Sequence, residues 1–127
     1  LGLTPQSVNT LGGFKVQGKT NTAAQIMRED ALALEAAGAQ LLVLEAIPSS
    51  LGKSITESLT IPTVGIGAGP DCSGQVLVMH DLLGLSPRTF TFAKAYADLR
   101  TTATDAVRQY VAEVHSQQWP DEAHIFQ

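Results

Sequence analysis

The run Leu41-Leu42-Val43-Leu44, closed by Glu45, most constrains what this chain can fold into. Four apolar residues in a row lack the alternation of a strand with one wet face, and the run is too short for an ordinary helix. It fits a strand buried on both faces, as in a parallel sheet covered by helices. A strand is therefore expected over 40–45. Pro62-Thr63-Val64-Gly65-Ile66 predicts a second buried strand over 62–66, and the apolar run at 75–80 predicts a third.

The segments between these runs read as helices. Residues 22–38 carry Ile26, Ala33, Leu34 and Ala37 on roughly one face, with Thr22 as N-cap and Gly38 as a C-terminal stop. Residues 49–59 place Leu51, Ile55 and Leu59 in a stripe that Ser49 or Ser50 can cap. Residues 82–91, with Gly84 and Pro87, are irregular; helices are expected over 92–98 and 100–117, then an extended tail from Trp119. Residues 1–21 are rich in Gly, Thr, Asn and Gln and form a long loop, a kind of segment that is usually functional or mobile.

Strands alternating with helices imply βα units and a parallel sheet. No repeat, linker or low-complexity tract divides the chain, so one domain, or a piece of one, is expected over 1–127. Three strands are few for such a sheet, and an eight-stranded barrel takes about 250 residues. This chain has 127, about half. Its opening, Leu1-Gly2-Leu3-Thr4-Pro5, reads as a strand end running into a loop, so more chain is expected upstream.

Composition narrows the partners. With 44% hydrophobic residues the chain can fill a core, which argues against disorder. Its eight Lys and Arg are scattered, so neither nucleic acid nor an acidic membrane surface is expected. The single cysteine, Cys72, permits no intrachain disulfide, and no apolar run approaches the roughly 20 residues of a membrane span. No signal-like segment opens the sequence, and a cytoplasmic location is expected.

Glu45 is the most informative polar residue. It ends a buried strand, and the carboxyl ends of parallel strands are where α/β folds build their sites. Desolvation there disfavours the charged carboxylate and raises its pKa toward the range of a useful base; an ion pair at the sheet rim is the plain alternative. Gly65-Ile66-Gly67-Ala68-Gly69 makes a tight turn or a ligand-facing wall. The dinucleotide fingerprint fails, because its third glycine would fall on Pro70 or Cys72. His80 and Asp81 come after the expected third strand, so at most one faces a site, and Asp81 can instead cap the next element. His115 and His124 make no metal-ligand spacing with each other or with His80. Lys15 either meets an anionic substrate or is a solvated charge. Cys72, with no histidine nearby in sequence, reads as a packed thiol.

These segments together resemble the ketopantoate hydroxymethyltransferase family. The likeness runs from Leu1-Gly2-Leu3-Thr4-Pro5-Gln6 through Gly12-Gly13-Phe14-Lys15-Val16-Gln17-Gly18 and Asp30–Ala39 to Leu42-Val43-Leu44-Glu45 and Pro48. It continues with Ile61–Gly69, Gly74–Asp81, and Pro120, Glu122, His124 and Phe126 in the tail. Each motif alone is weak; their order over essentially the whole chain is specific. The resemblance implies a (β/α)8 TIM barrel of the phosphoenolpyruvate/pyruvate-domain type, of which this chain is the C-terminal half. It implies transfer of a hydroxymethyl group from 5,10-methylenetetrahydrofolate to 3-methyl-2-oxobutanoate, giving 2-dehydropantoate in pantothenate biosynthesis. It also implies Mg2+ and a homo-oligomer, often a decamer. Glu45, in its Leu-Glu-x-x-Pro context, matches the family's proton acceptor. Lys15, Gly67 and His80 are weaker candidates for substrate contacts. The metal's carboxylates, most keto-acid contacts and a histidine just before the Leu-Gly-Leu-Thr-Pro motif belong to the family's N-terminal half. No metal ligand is therefore expected in this chain, nor turnover by the chain alone. Residues 86–92 are longer than the family pattern, and the tail differs near Trp119 and 123–125, which bears on oligomer contacts more than on Glu45. The competing readings are a related carbon–carbon lyase of the same superfamily and a non-catalytic half-barrel fragment.

Overall fold

A computed structural model describes residues 1–88 and 90–126. Two compact units result, Leu1–Leu77 and Val78–Gln127. In the first, α1 (Asn21–Ala36), β1 (Leu42–Glu45), α2 (Ser49–Ser58), β2 (Thr63–Ile66) and β3 (Gly74–Gln75) occur in that order. The strands form a parallel sheet in the order β1-β2-β3. Leu1–Leu3 lies along the outer edge of β1: Leu1 donates to the Val43 carbonyl, Glu45 to Leu1 and Leu3 to Glu45, and Gly2 bridges Glu45 in parallel. Consecutive segments are thus spatial neighbours, each strand pair joined through a helix or a crossing loop. This is a mixed α/β unit with a small parallel sheet.

Leu42 and Leu44 of β1 turn to one face, where Ala31, Ile47, Leu51, Ile55 and Ala68 complete the core. Leu44 and Ile55 are fully buried, each contributing about 1.5–3 kcal/mol of hydrophobic stabilisation. Thr63 is buried on the same face, its hydroxyl 2.8 Å from that of Thr56 on α2. Both-sided burial of β1 does not hold: Leu41 is 50% and Val43 42% exposed. The helices cover one face, so the strand alternates buried and exposed despite its unbroken apolar sequence.

The capping of α1 also differs from expectation. Thr20, not Thr22, accepts from the Ala23 N–H, and Gly38 at φ +97° closes the other end. Its packed face carries Ala24, Met27 and Ala31, at i, i+3 and i+7, while Ile26 is 52% exposed. For α2 the N-cap is Pro48, without a side-chain bond from Ser49 or Ser50.

The second unit holds α3 (Met79–Leu82) and α4 (Leu99–His115). The expected strand over 75–80 is a correction: only Gly74–Gln75 pairs, and Met79 and His80 lie in a helical turn. The helix over 92–98 is absent as well. Tyr96, Leu99 and Arg100 donate backbone bonds to Leu82, Leu83 and Gly84, and Asp98 leaves helical geometry to cap α4 through the Thr101 N–H. The tail is not wholly extended, since Glu122–His124 makes a 3-10 turn and Trp119 meets the rings of Tyr110 and His124. No residue of α4 is buried.

Candidate active site

The carboxyl edge of the sheet is built by three segments that meet behind Glu45. Glu45 pairs with Ile66 in parallel register. The chain then turns at Ala46, whose N–H donates to the Ile66 carbonyl (2.9 Å), while Ile47 N–H donates to Gly67 (3.0 Å). Gln17 N–H donates to the Ala46 carbonyl (2.9 Å), which ties the Gly12–Gly18 loop to the residue after Glu45. Ala46 has φ +48° and is 6% exposed. For a residue with a Cβ this left-handed backbone costs about 1–2 kcal/mol.

Glu45 is half-buried, on the face of β1 opposite Leu42 and Leu44. Among the described residues its carboxylate makes no hydrogen bond or ion pair. Burial, the larger cause, pushes its pKa above the ordinary glutamate value. A carboxylate that is partly shielded from water and unpaired is a stronger base than one held by donors.

Gly67 and Gly69, at φ +67° and +84°, carry the loop after β2 across the start of α2. A Cβ on Gly69 would stand 2.4 Å from Ser49 Cβ, and the Gln75 amide donates to the Gly69 carbonyl (2.9 Å). The glycines thus permit a close backbone approach. Of the residues singled out in the sequence, Glu45 and Gly67 come together. Lys15 is exposed on the loop that Gln17 anchors, with its carbonyl accepting from the Gln17 amide. His80 is exposed on α3 in the second unit, beside a buried Asp81 inside the same turn. Cys72 packs against the core of the first unit. Sequence reasoning missed Ala46, which carries no chemical signal, and Gln75. The glycine of Leu1-Gly2-Leu3 was a usable signal: a Cβ on Gly2 would stand 2.1 Å from the Glu45 carbonyl oxygen.

Among the described residues no three His, Cys, Asp or Glu side chains gather to hold a metal ion. The donor set needed for Mg2+, several oxygens around one point, is not assembled by these residues. No described helix is long and apolar enough to cross a membrane.

What fold and site define is an α/β unit with a half-buried carboxylate at the carboxyl edge of a parallel sheet, the edge from which such folds act on small ligands. The family model for ketopantoate hydroxymethyltransferase matches residues 1–122. The chain is 57% identical to the 3-methyl-2-oxobutanoate hydroxymethyltransferase of Carboxydothermus hydrogenoformans over 127 residues, covering 99% of this chain and 46% of that protein. It is 58% identical over 130 residues to the Pelobacter propionicus protein of the same name (99% and 47%), and 55% identical to that of Cupriavidus necator (99% and 46%). The chain belongs to the ketopantoate hydroxymethyltransferase family, a family of transferases. It spans about half the length of these curated relatives.

Proposed function

We propose that this chain is the C-terminal half of a (β/α)8 barrel that transfers a hydroxymethyl group from 5,10-methylenetetrahydrofolate to 3-methyl-2-oxobutanoate, with Glu45 as the general base. Glu45 takes the proton from C3 of the keto acid, and the electron pair left behind spreads onto the C2 carbonyl oxygen. Water adds to the folate methylene and its two C–N bonds break, releasing tetrahydrofolate and a formaldehyde unit; C3 bonds to that carbon, and its oxygen takes up a proton to become the hydroxyl of 2-dehydropantoate. The observation that carries this reading is a half-buried carboxylate without partners, its pKa raised by burial, at the carboxyl edge of the sheet. The names of the relatives agree with the keto acid and the group transferred.

Gly67, bonded through its carbonyl to Ile47, is the best of the substrate-wall candidates, and Lys15 supplies a positive charge on the loop anchored beside Ala46. His80 remains a candidate from the second unit. Mg2+ in this reading is held by residues beyond these 127. The working protein is a cytoplasmic homo-oligomer, a decamer in the family, in the pathway to pantothenate.

The experiment uses the full-length protein that carries this sequence. Exchange of the keto-acid C3 proton in deuterated water, followed by proton NMR, isolates the base from the transfer. Glu45→Gln is expected to slow exchange and transfer by roughly 10²–10⁴-fold. Exchange at the unmodified rate would remove Glu45 from the role. Product formation with formaldehyde in place of the folate would favour the lyase reading instead.

A further inference from the structure

We propose that Ala46 is the positioning residue for Glu45: its left-handed backbone separates the carboxylate from the core-filling residue next in the chain. This rests on the reading of Glu45 as the base. In an extended strand residues 43, 45 and 47 share one face. Val43 and Glu45 do lie together, opposite Leu42 and Leu44. Ile47 does not join them. It is 3% exposed and belongs to the same core cluster as Leu42 and Leu44. Ala46 and Ile47 are buried in succession, which period-two alternation forbids, and the residue that breaks the period is the one at φ +48°.

The turn is fixed from every side. Glu45 N–H donates to Leu1, Leu3 N–H to Glu45, Ala46 N–H to Ile66 and Gln17 N–H to Ala46, each at 2.9 Å. The backbone polar groups of both residues are thus held by three separate segments, and the Glu45 side chain alone is left without a bond among the described residues. The other described non-glycine residue with positive φ, Gln117 at +59°, stands just after α4, where a left-handed residue commonly ends a helix. Ala46 comes after a strand and caps nothing. A strained residue at that place, next to a half-buried carboxylate without a bond, is the pattern of a functional constraint.

The test compares Ala46→Gly, Ala46→Val and Glu45→Gln in the full-length protein. It reads kcat and KM, and also the titration of the Glu45 carboxyl by 13C NMR, which needs no substrate. Glycine adopts positive φ freely, so Ala46→Gly is expected to keep kcat within about threefold and leave the titration in place. Valine, branched at Cβ, resists that backbone. Ala46→Val is expected to lower kcat about 100-fold with little change in KM, and to return the carboxyl toward the ordinary glutamate value. Ala46→Val with unmodified kcat and titration overturns the proposal. So does Ala46→Gly with a loss beyond about tenfold, which would make the methyl group and not the backbone the important part. Should the valine variant give no soluble protein, the glycine variant decides alone. Should Glu45→Gln transfer at the unmodified rate, the functional reading fails, and the titration arm still decides whether Ala46 sets the carboxylate.

Discussion

Gly52 on α2 lies directly against Ala68 in the loop after β2: a Cβ added to Gly52 would stand 2.2 Å from the Ala68 carbonyl oxygen. In an exposed helix, glycine to alanine gains about 1 kcal/mol from helix propensity alone. Here the obstacle is backbone, which cannot swing aside, and overpacking of this kind costs about 1–3 kcal/mol or more. Gly52→Ala is therefore expected to lower the urea midpoint despite the better propensity. Because Ala68 lies next to Gly67, keto-acid KM should rise as well. Gly74, with nothing within 4 Å of an added Cβ, is the control. Gly74→Ala should stay within about 0.5 kcal/mol of the unmodified protein.

Thr63 is wholly buried, and its hydroxyl serves two neighbours, the Thr56 hydroxyl at 2.8 Å and the Ser73 N–H at 3.3 Å. Thr63→Val keeps the shape and removes the hydroxyl, leaving the Ser73 N–H without this acceptor and the Thr56 hydroxyl with only its bond to the Gly52 carbonyl (2.8 Å). The expected loss is about 1–3 kcal/mol in chemical denaturation. Adding Thr56→Val removes the other hydroxyl of a bond already lost, so the double variant should lose less than the sum of the two single changes. Strict additivity would mean that the hydroxyls do not interact.

Glu35 holds the loop between α2 and β2. One of its carboxylate oxygens accepts from Thr60 N–H and Thr60 Oγ1, both at 2.7 Å, and from Ile61 N–H at 3.0 Å. These bonds, the Thr60 hydroxyl first, hold its pKa below the usual glutamate value. A depressed folded-state pKa stabilises the fold above the unfolded-state value, and that contribution is lost as pH falls through the folded one. Glu35→Gln keeps an acceptor but does not titrate. Its thermal midpoint is expected to fall less steeply on acidification than that of the unmodified protein; parallel acid limbs would show that the bonds do not couple to stability.

Much of the first unit was legible in the sequence. Short apolar runs bounded by Pro and Gly located β1 and β2, although only alternate residues of each strand are buried. Glu45 stood out as a charged residue at the end of such a run, and it lies half-buried at the end of β1. What failed did so for tertiary reasons. Val76 and Val78 are as apolar as β1, but the strand beside β2 ends at Gln75 with one more bond from Val76 N–H to Gly65, and an apolar run by itself does not specify a partner. Residues 92–98 contain good helix formers, yet Asp98 caps the next helix and Tyr96 bonds to Leu82, so local preference loses to those bonds. Ala46 was invisible because a positive φ at alanine leaves no mark in composition or period.

The raised pKa of Glu45 predicts that the proposed base weakens the fold it serves. Burial, the larger cause, disfavours the ionised form. A folded-state pKa above the unfolded one gives stability that is present below the unfolded value and lost as pH rises through the folded value. Glutamine mimics the protonated carboxyl at every pH. Glu45→Gln is therefore expected to unfold at a higher temperature than the unmodified protein at neutral pH. The two should converge below the usual glutamate range, while the variant stays inactive throughout. Thermal scans from acid to neutral pH check this directly. A Glu45→Gln protein less stable than its parent at neutral pH would mean that the carboxylate holds the fold through contacts, and Glu45 would then be neither dehydrated nor unpaired.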